Sequence, residues 1–174
     1  MRLEGKIAIV VGAGQSPGEG IGNGRATVLR FAREGAKVLA VDRNMASAEE
    51  TAAMVTAEGG QCVPFEADVT KEKTLAAMVG SARGQFGRID VLHYNVGLSI
   101  AGGDAPPTEI TEEAFDRIVA INLRGCVMAV KHVLPVMRAQ KSGVILTISS
   151  LAAYEVYPYV AYKATKAAMI AFTQ

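Results

Sequence analysis

Residues 7–25, IAIVVGAGQSPGEGIGNGR, decide how this chain is read: a β-branched apolar run opens into a loop with six glycines and closes on Arg25. The run from Lys6 to Val11 lies between Gly5 and Gly12 and lacks polar alternation, as expected of a strand covered on both faces. From Arg25 to Glu34 the period changes, with Val28, Leu29 and Ala32 at helical spacing, and Gly35 provides a stop. A strand feeding a helix through glycines can cradle a pyrophosphate. Glycines let the backbone approach closely, and a helix N-terminus offers unpaired N–H groups and a positive dipole end. The candidates are Gly12, Gly14, Gly20, Ile21 and Gly22. No register satisfies strict Gly-x-Gly-x-x-Gly, so this stretch alone equally describes a plain flexible loop.

The next strand, Lys37 to Val41, is followed by Asp42, twenty residues after Gly22. A carboxylate there can accept hydrogen bonds from the adenosine ribose hydroxyls and repels a 2′-phosphate, which favours NAD over NADP. Arg43 beside it partly offsets that repulsion. Beyond it the alternation continues. Ser47 and Glu50 have capping-box spacing for a helix ending at Gly59-Gly60, and Gln61 to Glu66 is a Pro-containing strand suited to a sheet edge. Thr70 can cap a helix reaching Phe86, and Ile89 to Asn95 is the fourth strand. After the Gly/Pro loop from Gly97 to Ile110, Thr111 starts a long helix running through Asn122 to Gln140. Gly143 to Ile148 is the fifth strand, and a helix begins at Ala161. Such alternation means βαβ crossovers and a parallel sheet, whose ligands bind outside the strand C-termini.

Composition narrows the classes. Eighteen basic residues against seventeen acidic give a formal charge of +1 without a like-charge block, so neither nucleic acid nor an anionic membrane is an expected partner. Half of the residues are apolar and only 6% aromatic, which predicts an aliphatic globular core. Apolar runs such as Ile7 to Val11 fall far short of the ~20 residues that span a bilayer, and this one starts too near Met1 for a signal peptide's core. The expected location is cytoplasmic. Cys62 and Cys126 have no histidine at ligand spacing, so they read as packing residues and no metal site is expected.

Tyr162 and Lys166 lie four apart at the start of the last helix, hence on one face. An ammonium beside a phenol stabilises phenolate, which suits a proton-transfer catalyst; the same pair also fits a solvated helix face. Taken with the glycine loop, Asp42, Asp68-Val69, Tyr94-Asn95-Val96-Gly97, Asn122 and Ile148-Ser149-Ser150, all at strand ends or on the long helix and in order, the chain resembles the short-chain dehydrogenase/reductase family. The resemblance implies an NAD(P)-dependent oxidoreductase that interconverts an alcohol and a carbonyl by hydride transfer. In it Tyr162 is the acid/base, Lys166 binds the nicotinamide ribose and lowers the tyrosine pKa, Ser150 bonds the substrate oxygen, and Asn122 holds a water that relays protons from the lysine. Asp68 and Val69 would contact adenine, with Asn95 and Gly97 along the cofactor. A small-molecule substrate and a homodimer or homotetramer are implied as well.

The chain departs from the family pattern in five places. The glycine loop is enlarged, Val11 replaces the usual threonine, Asn23-Gly24 is extra before Arg25, and Tyr94 replaces an asparagine that ties strands together. The interval from Ser150 to Tyr162 is one residue short, which keeps Ser149 open as the active hydroxyl. The implied fold is α/β, a Rossmann-like doubly wound parallel sheet in order 3-2-1-4-5. Family members run to about 250 residues, so residues 1–174 are expected to be one C-terminally incomplete NAD(P)-binding domain, truncated before the family's strands 6 and 7. On that expectation strand five presents an open apolar edge. Two alternatives follow: an inactive fragment binding nucleotide or a partner chain without turnover, and a nucleotide-sugar epimerase relative.

Overall fold

The computed structural model describes residues 1–16 and 18–174. Five parallel strands form one sheet: β1 (Ile7–Val11), β2 (Lys37–Asp42), β3 (Gln61–Glu66), β4 (Val91–Tyr94) and β5 (Val144–Thr147). Their spatial order is β3-β2-β1-β4-β5, as the resemblance implied. The order reverses between β1 and β4, so their C-terminal ends diverge into a crevice. The helices are α1 (Asn23–Arg33), α2 (Met45–Ala57), α3 (Glu72–Phe86), α4 (Glu112–Val119), α5 (Gly125–Gln140) and α6 (Val160–Phe172).

Successive strand residues point to opposite faces, and both faces are covered. Ile9 and Val11 of β1 join Leu39, Val41, Leu92 and Tyr94 under Leu75, Met78, Cys126, Ala129 and Val133 of α3 and α5. Ala8 and Val10 turn the other way, with Val38 and Ala40, against Val28, Leu29 and Val55 of α1 and α2. Pro64 sits on β3, at the sheet edge, where its missing N–H does least harm. The opposite edge, β5, leaves Val144 and Leu146 exposed.

Glu112 to Gln140 is one continuous helical stretch, long and apolar enough to cross a membrane by length and composition. In the fold its buried stripe, Ala114, Ile118, Asn122, Cys126, Ala129, Val133 and Met137, is core. A π-turn at Ala120–Arg124 interrupts it and carries Asn122 inward. This turn was not expected from spacing; such bulges leave backbone carbonyls without their usual helical partners. Tyr94 uses one of them, donating its hydroxyl to Ile121 O at 2.7 Å. A Cβ on Gly125 would lie 2.6 Å from that hydroxyl, so glycine is needed there. Tyr94 thereby supplies a strand-to-helix tie at the position where an asparagine was expected.

Two expected caps are corrected. Ser47 does not open α2: Asn44 does, its side chain accepting from Ser47 N, because Asn44 has the extended backbone that an N-cap needs. Thr70 does not cap α3 either. Its hydroxyl donates to Asp68 Oδ1, and Lys71 occupies the N-cap position without a side-chain bond. Thr111 does cap α4, accepting from Ala114 N. Cys126 is buried and Cys62 is half-buried; burial pushes their thiols up to about 11 and about 12, values of unreactive packing residues. Among the described residues no cluster of metal-ligating side chains occurs.

Candidate active site

The residues singled out in the sequence gather at the C-terminal edge of the sheet. Val11 and Asp42 end β1 and β2, Asn95 follows β4, and Ser149 and Ser150 follow β5. Hydrogen bonds hold the loop after β1 to its neighbours and to itself. Gly14 N donates to Asp42 Oδ2 (2.9 Å), Gln15 N to Ser47 Oγ (2.7 Å), and Gly22 N to Gln15 Oε1 (2.7 Å). A Cβ on Gly14 would stand 2.8 Å from that Asp42 oxygen, and Gly12 takes a left-handed φ of 82°. Gly12 and Gly14 therefore lie at the strand ends, and Gly22 is the N-cap residue of α1. Gly20 and Ile21 belong instead to the outer part of the loop: Gly20 has open space around it and Ile21 is exposed. Pro17, in the same loop, lies outside the described residues.

Gly24 was read as an addition to the motif, yet it lets α1 meet β1. A Cβ there would fall on the Gly12 carbonyl oxygen and 2.9 Å from Asn95 Nδ2. Among motif glycines, one serves for close helix-to-strand packing. Counting back from Arg25, whose buried guanidinium bonds Thr51 and Glu50 of α2, would have found it. The first turn of α1 has no side-chain cap, leaving its N–H groups toward the crevice. Asn95 Nδ2 donates to Gly12 O (3.3 Å), tying the glycine loop to β4.

Asp42 also accepts from Asn44 N (3.0 Å), while Arg43 is exposed and unpaired among the described residues. At the end of β3, Asp68 accepts from Thr70 and pairs with Lys71 at 3.2 Å; the Thr70 hydroxyl first, then Lys71, holds its carboxyl below the usual range. Val69 is buried beside it.

The α6 pair lies in the crevice. Lys166 is buried, its Nζ donating to Ile148 O (2.6 Å) and lying 5.5 Å from the Tyr162 ring centre. Burial lowers the ammonium pKa, and the nearby Cys126 opposes that shift weakly. Gly97 makes room: a Cβ there would be 3.1 Å from Lys166 Nζ and 3.8 Å from Tyr162 Cε2. Tyr162 is half-buried beside the Tyr157 ring at 5.8 Å.

The two serines differ in what they are bonded to. Ser149 Oγ donates to Lys166 O (2.8 Å), so its proton is spent on holding α6. Ser150 Oγ accepts from Ala152 N (3.2 Å), and its own proton has no acceptor among the described residues. Asn122 is fully buried. Its carboxamide oxygen accepts from Leu98 N (2.8 Å), and its nitrogen donates to Leu98 O (2.9 Å) and Thr165 Oγ1 (3.1 Å). That side chain ties the β4–α4 loop to α6.

Comparison with known proteins agrees with this geometry. A family model described as short chain dehydrogenase matches residues 6–174. Cyclohexanol dehydrogenase of a Rhodococcus species is 34% identical over 188 residues, covering 99% of this chain and 67% of the relative. Levodione reductase of Leifsonia aquatica is 35% identical over 152 residues, covering 86% of this chain and 54% of the relative. The solved structure of NAD+-bound xylitol dehydrogenase superposes with a TM-score of 0.90 at 34% identity, covering 99% of this chain and 64% of that one. This chain spans about half to two thirds of the length of the relatives it matches, from 52% to 64% for three of them.

Proposed function

This chain belongs to the short-chain dehydrogenase/reductase family, and from that premise we propose that it carries the dinucleotide site and the proton-transfer pair of a cytoplasmic oxidoreductase. The reaction is interconversion of a small alcohol and its carbonyl, with NAD used in preference to NADP. One observation carries the reading: a buried ammonium, Lys166, fixed by Ile148 O at 2.6 Å and 5.5 Å from the Tyr162 ring, at the mouth of the crevice.

A dinucleotide fits the chain's own features. Glycine at 14 and 97 lets Asp42 and Lys166 come up close to the loop backbone at the crevice, and α1 starts without a side-chain cap. Gly12, Gly14 and Gly22 with the first turn of α1 would hold the pyrophosphate, Asp42 the adenosine ribose, Asp68 and Val69 the adenine, and Asn95 and Gly97 the nicotinamide half. A bound nicotinamide would supply or accept the hydride.

The protein's own part is proton handling. Tyr162 gives a proton to the carbonyl oxygen in reduction and removes it from the alcohol in oxidation. Lys166 places its ammonium 5.5 Å from the Tyr162 ring centre, and after bonding Ile148 O and Met169 Sδ it keeps one of its three donors for a ribose hydroxyl. Ser150, rather than Ser149, has the free hydroxyl proton to meet the substrate oxygen as charge develops there. The exposed Ile100, Leu151, Tyr154 and Val156 border this place and suit a largely apolar substrate.

The test follows nicotinamide absorbance while the full-length protein meets a panel of secondary alcohols and ketones with NAD or NADP. NAD-linked turnover of apolar members is expected. Dinucleotide binding with no turnover of any member would overturn the reading in favour of a nucleotide-binding chain without catalysis.

A further inference from the structure

Helix α6 opens without a cap of its own. Its N-cap residue is Tyr159, which makes no side-chain cap bond, and the preceding Tyr157-Pro158 supplies no short polar side chain. The first N–H groups of a helix must nevertheless find acceptors, above all here, where Ala161 is fully buried. All three come from the β4–α4 loop. Val160 N donates to Ala105 O (3.2 Å), Ala161 N to Asp104 Oδ1 (2.9 Å) and Tyr162 N to Asp104 Oδ2 (2.9 Å).

Asp104 is itself 6% exposed and fixed from its other side. Ser99 Oγ lies 3.3 Å from its Oδ2 and 3.2 Å from the Tyr157 hydroxyl, whose ring packs against Tyr162. The loop in turn is pinned to α4 by Arg117, which donates twice to Gly102 O (3.1 and 2.6 Å), and Gly103 takes the left-handed φ of 87° that brings Asp104 round. A carboxylate at a helix N-terminus is also favoured by the dipole.

We infer that Asp104 is the positioning residue for Tyr162: it caps α6 from a separate loop and sets where the phenol stands in the crevice. Lys166, one turn on, has separate tethers in Ile148 O and in the Ser149 hydroxyl on its carbonyl. Loss of Asp104 therefore loosens the acid/base more than the ribose-binding lysine. This inference rests on the dehydrogenase reading.

Its test compares the full-length wild type with Asp104→Ala and Asp104→Asn, the latter keeping one carbonyl acceptor. Amide exchange at Ala161 and Tyr162 reports the cap, and steady-state kinetics report the consequence. In Asp104→Ala we expect exchange at the two amides about tenfold faster. We also expect kcat lower on the order of 10²-fold with KM for NAD within about twofold. Asp104→Asn falls between in both readouts, and carries the comparison alone if Asp104→Ala does not fold. Unchanged exchange overturns the cap, and faster exchange with wild-type kcat overturns positioning. A wild type without turnover overturns the dehydrogenase reading and this inference with it, and is recognised by an exchange response that persists.

Discussion

Gly24→Ala is the sharpest test of how α1 is seated on β1. The added methyl would fall on the Gly12 carbonyl oxygen, which is backbone and cannot swing aside, and 2.9 Å from Asn95 Nδ2. Relief requires α1 to lift from the strand, which strains the Asn95 to Gly12 hydrogen bond and the glycine loop together. Overpacking of this kind costs about 1–3 kcal/mol, and backbone obstruction sets the expectation at about 3. For a chain of this size that is a fall in Tm of about 6–12 °C. Gly80→Ala is the control, since Gly80 is exposed inside α3 with open space where the methyl would go. There the better helix propensity of alanine adds about 1 kcal/mol, or about 2–4 °C. Thermal unfolding followed by circular dichroism, with NADH fluorescence titration for affinity, reads both. Gly24→Ala unfolding within about 2 °C of wild type and binding NADH normally would refute the seating argument.

Three further outcomes are expected. His93 on β4 is buried with neither ring nitrogen partnered among the described residues, and burial lowers its pKa from 6.5. Its neutral form is favoured in the fold, so its stability contribution is full above pH 6.5 and is lost as pH falls below it, where only the unfolded chain takes up the proton. His93→Leu should remove that dependence and stabilise by about 1–3 kcal/mol; denaturant titrations at pH 5 and pH 8, if parallel for both proteins, would contradict it. Asp90 accepts from Ile7 N (2.9 Å) and from Arg88; burial pushes its carboxyl up, and Arg88 with the Ile7 N–H together outweigh that and hold it low. Asp90→Ala should destabilise by about 1–3 kcal/mol, because the buried Ile7 N–H at the start of β1 loses its acceptor; a urea midpoint equal to wild type would count against it. Asp42→Ala should weaken NAD about tenfold and spare NADP, and an unchanged NAD to NADP preference by calorimetry would remove Asp42 from the ribose.

The order of elements was legible because buried parallel strands and amphipathic helices have different periods, and Pro64 even marked the edge strand. Local polar choices were less legible. Asn44 and Ser47 are both good cap residues, and only backbone conformation separates them. The enlarged glycine loop hid the motif's register, since Gly20, Gly22 and Gly24 alternate identically in the sequence and differ in backbone conformation and in what a Cβ would strike. The serines resolved for a similar reason: the Ser149 proton is taken by a carbonyl seventeen residues away. Asp104 went unnoticed because it sits in a Gly/Pro loop and acts on an amide fifty-eight residues on, a pairing no local pattern encodes. Tyr162 and Lys166 were visible since their spacing of four is itself the geometry.

Tyr162→Phe tests the central claim most directly. The ring stays beside Tyr157 and Lys166 keeps its bond to Ile148 O, so only the transferable proton is lost. NAD affinity of the full-length variant, measured by calorimetry beside turnover of an accepted alcohol, should match wild type while kcat falls on the order of 10²- to 10⁴-fold. Turnover retained at the wild-type rate would contradict the account.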